Sequence, residues 1–165
     1  MFEKYGEEKI YAFALYSDEG AMTVCPSTNT LKHLNGIDSN QEDFTYYKFE
    51  PAEWKYEMQG ADKLFNEISE LCSDEISKME EDDEIYDREF DKFQKKLYDT
   101  CIEVLKKLKS ENFFKQIVGE DIFLIFTVSE YEFDKNELEK IITQLNENEY
   151  KEEYLNWMQT WQEGV

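Results

Sequence analysis

Two stretches of this chain have no polar face, and that limits what the rest of it can be. Lys9 to Tyr16 reads as a strand with Ile10, Ala12 and Ala14 on one side and Tyr11, Phe13 and Leu15 on the other. Side chains alternate across a strand, so a strand apolar on both sides needs cover above and below. Ile122 to Val128 is a second strand of this kind, and its lack of a polar face predicts a central place in the sheet.

Helical spacing supplies that cover. From Tyr86 the apolar positions run Phe90, Phe93, Leu97, Cys101, Val104, Leu105 and Leu108, in steps of three and four residues. Ala61 to Ser73 repeats the pattern with Leu64, Phe65, Ile68, Leu71 and Cys72 on one side. Asp134 to Leu145 carries Leu138, Ile141, Ile142 and Leu145, and Glu149 to Trp161 carries Tyr150, Tyr154, Trp157 and Trp161.

Shorter elements join these. Ser17-Asp18-Glu19-Gly20 reads as a turn in which the glycine can take a positive φ, and Ala21 to Cys25 as the return arm of a hairpin stopped by Pro26. Thr28 to Leu34 reads as a short helix closed by Asn35-Gly36. Ile37 to Asp43 reads as a loop, and Thr45 to Phe49 as a third strand ended by Pro51. Strands at both ends of a long helical middle predict one α+β domain over residues 1–165, with a mostly antiparallel central sheet and helices packed on it.

The charge is lopsided. Thirty-nine Asp and Glu against eighteen Lys and Arg leave a formal charge of −21, while 41% of residues are apolar and 16% aromatic. That much apolar material argues for a filled core beneath the carboxylates, not for a disordered acidic tail. A coat of this sign repels nucleic acid and anionic membranes and attracts basic proteins. No apolar run is long enough to span a bilayer, and Met1 to Gly6 lacks the pattern of a signal peptide. Cys25, Cys72 and Cys101 are odd in number and far apart, which fits buried reduced thiols in a cytoplasm.

Several segments together resemble a bacterial family known as domain of unknown function 4303. They are Tyr11 to Asp18, Tyr47 to Trp54, Thr100 to Leu105, Phe123 to Tyr131, and Leu145-Asn146. The pieces span most of the chain from residue 10 onward, and their specificity lies in the set. The resemblance implies a compact α+β fold and a place among the immunity proteins that bacteria keep beside polymorphic toxins. Proteins similar to this one begin with a helix before the first strand, whereas only nine residues precede Ile10 here. Whatever that helix covers is then open, or covered by another element or another subunit.

Little in the sequence points to a reaction. His33 is the lone histidine and has no cysteine or second histidine at ligand spacing, so zinc and His-activated nucleophiles have no obvious frame. Asp82-Asp83-Glu84 and Asp87-Arg88-Glu89 lack the alternating ligands and central glycine of a calcium loop. Glu130, Glu132 and Asp134 follow a strand end, where a solvated loop is the simpler account. The expectation is no cofactor, no metal and no catalytic residue.

What stands out is a contrast within the long helical stretch. Ten acids lie between Asp74 and Asp91 against Lys78 and Arg88, and six lysines lie between Lys92 and Lys109 against Asp99 and Glu103. Acids early and lysines late suit a helix dipole. They also suit a docking face for a basic partner built from Glu80, Glu81, Asp82, Asp83, Glu84 and Asp87. Trp161, near the end of the aromatic stripe, is a second candidate anchor. Trp54 reads as core, with an indole N–H that needs one acceptor.

These readings converge on an acidic cytoplasmic protein-binding domain, of an immunity type that neutralises a basic toxin. A nuclease-type toxin fits, because an enzyme acting on a polyanion has a basic active site. The alternatives are a small carboxylate- or metal-dependent hydrolase, and a homo-oligomeric scaffold. The expected partner is a protein, not nucleic acid or membrane, bound by a monomer or a homodimer.

Overall fold

The computed structural model describes residues 1–80, 82–129 and 134–161. In chain order the elements are α1 (Phe2–Tyr5), β1 (Ile10–Asp18), β2 (Val24–Thr30), α2 (Leu31–Leu34), α3 (Phe44–Phe49), β3 (Tyr56–Glu57), α4 (Asp62–Ile76), α5 (Asp83–Ser110), α6 (Phe113–Val118), β4 (Phe123–Ser129), α7 (Lys135–Leu145) and α8 (Glu149–Gln159). The strands form one sheet in the order β3-β2-β1-β4. β1 pairs with β2, and β2 with β3, antiparallel. β1 pairs with β4 in parallel, from Ala12 opposite Phe123 to Asp18 opposite Ser129. The sheet is therefore mixed, within an α+β fold. A parallel pair needs a crossover, and the long helical middle supplies it.

Helices cover both faces. On one, Leu15, Leu124, Phe126 and Val128 pack with Tyr98, Cys101 and Leu105 of α5, Phe114 of α6, and Ile141 and Leu145 of α7. On the other, Ala12, Ala14, Phe123 and Ile125 meet Leu34, Phe49, Trp54, Leu138, Ile142, Tyr154 and Met158. Each large apolar side chain buried this way stabilises the fold by about 1.5–3 kcal/mol. Beside the first face, Phe2 of α1 lies against Phe13, Phe113 and Phe114, with ring centroids 5.6–6.3 Å away. One helical turn before β1 thus covers part of the surface whose cover the sequence left in question.

Several local expectations change. The register of the β1–β2 ladder shifts between Ile10 and Ala12, so Tyr11 has no opposite residue. Such a bulge re-aims a side chain. Tyr11 joins Ala12 and Ala14 on one face, while Ile10 joins Leu15 on the other, which reverses the simple alternation at the strand's start. In the hairpin, Ala21 takes the left-handed conformation at φ 51°, and Gly20 does not. Gly20 is needed for room instead: a Cβ there would sit 2.9 Å from Oδ1 of Asp18, whose carboxylate accepts from the amides of Met22 and Thr23 at 3.2 and 2.8 Å.

Pro26 does not stop β2. It sits opposite Leu15, and its carbonyl accepts from the amide of Met58 just past β3. A residue's nitrogen and carbonyl share one side of a strand, so the missing N–H faces the ragged end of a two-residue strand and leaves the β1–β2 ladder intact. β2 therefore continues through Thr28 to Thr30, and only Leu31–Leu34 is helical, with Oγ1 of Thr30 accepting from the amide of His33 at 3.2 Å. Residues 45–49 are not a strand either. They lie within helix α3, whose Phe49 stacks on Trp157 at 6.0 Å and meets Phe123 and Tyr154 edge-on.

β4 is at the edge of the sheet, not its centre. Its two apolar faces reflect cover from both layers, and its open edge is closed by side chains. Asn146, at 1% exposure, accepts from the amide of Leu124 at 2.8 Å and donates to the Leu124 carbonyl at 2.7 Å. Nδ2 of Asn148 donates to the Ile122 carbonyl at 2.9 Å. Two amide side chains thus stand in for a neighbouring strand.

Candidate functional site

The acidic run opens the longest helix. Asp82 is the N-cap of α5, its carboxylate accepting from the amide of Ile85 at 3.2 Å, and Asp83 and Glu84 fill the first turn. Carboxylates there satisfy free amides and the positive end of the helix dipole, which accounts locally for three of the acids. Glu80, Asp82, Asp83, Glu84 and Asp87 are exposed, and among the described residues none takes part in an ion pair. Glu81, Glu130 and Glu132 lie outside the described residues, and Asp134 caps α7 by accepting from the amides of Asn136 and Glu137.

The same helix ends basic, but there the charges pair. Lys95 meets Asp99 at 3.0 Å, Lys106 meets Glu103 at 2.6 Å, and Lys109 meets Glu147 at 3.0 Å. α5 is therefore asymmetric in available charge as well as in sign. Its start presents unpaired carboxylates, and several lysines of its second half are already engaged.

Trp161 is half-buried just past α8, edge-on to Trp157 at 4.9 Å and to Tyr154 at 6.3 Å, and its carbonyl accepts from Nζ of Lys135 at 2.7 Å. α8 covers the sheet face opposite the one that α5 covers. The acidic run and Trp161 thus belong to opposite layers and are not brought together. The rest of the aromatic stripe faces the core, with Tyr150 against Tyr11 and Tyr154 against Phe123. Trp54 is buried, and its indole N–H donates to the Lys48 carbonyl at 3.1 Å.

Some other polar groups are engaged internally. Glu8 accepts from Lys55 at 2.8 Å, Tyr56 at 2.9 Å and Lys32 at 3.4 Å, and these donors, Lys55 first, hold its carboxyl down at about 2. This cluster joins residues far apart in sequence, so no local signal announced it. His33 is half-buried. All three cysteines are free and buried, and burial pushes the Cys101 thiol up to about 12, the opposite of what an active nucleophile needs. Among the described residues no three His, Cys, Asp or Glu side chains gather where they could hold a metal ion. A cleft of about 440 Å³ opens between the ends of α5 and α7. Its Lys109 and Lys115 are paired with Glu147 and Asp121, which leaves little free charge inside.

One helix departs from its expected packing. The apolar positions of α4 divide: Phe65 and Cys72 turn inward, while Leu64, Ile68 and Leu71 are 60%, 37% and 64% exposed. No helix of the described residues is long and apolar enough to cross a membrane.

Residues 1–147 match the family described as domain of unknown function (DUF4303), and the chain belongs to that family. No curated protein and no solved structure matches it.

Proposed function

We propose that this DUF4303 protein is an acidic, cytoplasmic protein-binding domain of the immunity type, whose partner is a basic toxin domain. It works by binding and not by catalysis. The observation that carries this reading is the cluster of exposed, unpaired carboxylates of Glu80, Asp82, Asp83, Glu84 and Asp87 at the start of α5, on a chain of charge −21. Complementary charge accelerates encounter and fixes orientation, which is what a protein that must intercept a toxin before it acts requires. A nuclease fits as the target class, because the groove that holds its polyanionic substrate is basic and can be blocked by an acidic surface.

Co-expression with the product of the adjacent gene tests this. The expected outcome is rescue of cells from that product and a complex whose association rate falls about tenfold or more as salt rises from about 0.05 to about 0.5 M. Replacing Asp83, Glu84 and Asp87 by Asn, Gln and Asn, with the Asp82 cap kept, is expected to slow association further. A harmless neighbour, or a complex indifferent to salt and to these replacements, refutes the reading.

A further inference from the structure

We infer that the outer face of α4 is a second part of the docking surface, and that its occupant is a basic amphipathic helix of the partner protein. The inference rests on the reading above and adds where the apolar contact lies. Leu64, Ile68 and Leu71 are spaced by four and three residues, so they form one stripe along the helix. Each is exposed, at 60%, 37% and 64%. Such residues pack inward on an ordinary surface helix. Here Phe65 and Cys72, seven residues apart, already fill the inward side, and the stripe is left over.

The charges beside the stripe select the occupant. Along residues 62–78 five carboxylates (Asp62, Glu67, Glu70, Asp74 and Glu75) face two lysines, Lys63 and Lys78. Glu67 and Asp74 lie one turn from the leucines, where side chains touch. Lys63 and Lys78 bridge Glu67 and Glu75, the Lys78 ammonium also feels the Asp74 carboxylate, and among the described residues Glu70 forms no ion pair. A second copy would set these acids against their own twins across a two-fold axis, on chains that each carry −21. An anionic membrane is repelled for the same reason. A helix with a leucine-like stripe and lysine or arginine flanks satisfies both the apolar surface and the charge.

The test uses the full chain and two synthetic helical peptides of about four turns, one of Leu and Lys and one of Leu and Glu, each with leucines at three- and four-residue spacing. The Lys peptide is expected to bind and the Glu peptide not to. Leu64→Gln with Leu71→Gln should weaken Lys-peptide binding about tenfold or more while leaving the melting temperature unchanged, since both side chains are already mostly in water. Binding unaffected by that pair but lost on replacing Asp83, Glu84 and Asp87 overturns the α4 assignment and leaves the proposed function standing. An absent interaction with the Lys peptide also overturns it, as does a dimer in light scattering that the leucine replacements dissolve. The proposed function itself is judged separately, by the co-expressed complex.

Discussion

Asn146 shows how much one side chain can decide. Its amide pairs with both backbone groups of Leu124 on the outer edge of β4, and its Nδ2 also reaches the Ile142 carbonyl at 3.1 Å. Replacing it with Leu keeps the bulk and removes every bond, stranding a buried N–H and C=O. Each costs about 1–3 kcal/mol when unpaired. Asn146→Leu is therefore expected to lower unfolding free energy by about 3 kcal/mol in urea titrations. A loss under about 1 kcal/mol would mean that water or a shifted helix end serves that edge equally well. Glu8 offers a second test at this scale. Its folded carboxyl titrates at about 2, below the ordinary 4.5, because Lys55, Tyr56 and Lys32 donate to it. A depressed carboxyl stabilises the folded state above its unfolded value and loses that contribution as pH falls through the folded one. The stability difference between wild type and Glu8→Gln should thus be full above pH 4.5 and shrink as pH falls from there toward 2. A difference that stays constant through that range would assign the role of Glu8 to packing.

At the scale of elements, α5 carries the sharpest division between scaffold and surface. Asp82→Ala removes the N-cap and should cost about 1 kcal/mol, whereas Asp82→Asn keeps an acceptor and should cost little. If both variants unfold alike, the charge and not the cap matters there. α5 was readable because its apolar spacing runs without a break, and α7 and α8 for the same reason. α3 was not, because the aromatics and threonine of Thr45 to Phe49 favour a strand until Phe49 is placed against Phe123 and Tyr154. β4 looked central because apolar faces report cover, while its edge depends on Asn146, a residue beyond the next helix. In α4 the apolar side was visible, but which part of it faces the core depends on how the helix tilts over the sheet. Of the candidate site, the acidic run was legible as charge. Its separation from Trp161 follows from chain topology, which no local pattern encodes.

For the whole molecule, the coat that suits capture of a basic partner also strains the free protein. With 39 acids and 18 bases the chain carries 21 surplus carboxylates, 39 − 18, and folding brings them closer together. Many of the ion pairs are exposed helix neighbours, such as Lys95 with Asp99 and Lys107 with Glu111, and pairs of that kind contribute little. Salt weakens both effects, since the screening length falls from about 30 Å at about 0.01 M to about 3 Å at about 1 M. Repulsion among many distant carboxylates is the longer-ranged effect, so screening relieves more than it removes. The melting temperature of the isolated protein should therefore rise by several degrees over that range of sodium chloride, as read by circular dichroism. Opposite signs would then mark the two states: salt steadies the free domain and loosens the proposed complex. A flat or falling melting temperature would mean that internal contacts such as the lysines around Glu8 outweigh the surplus charge, and it would remove the energetic reason for the acidic surface to seek a cationic partner.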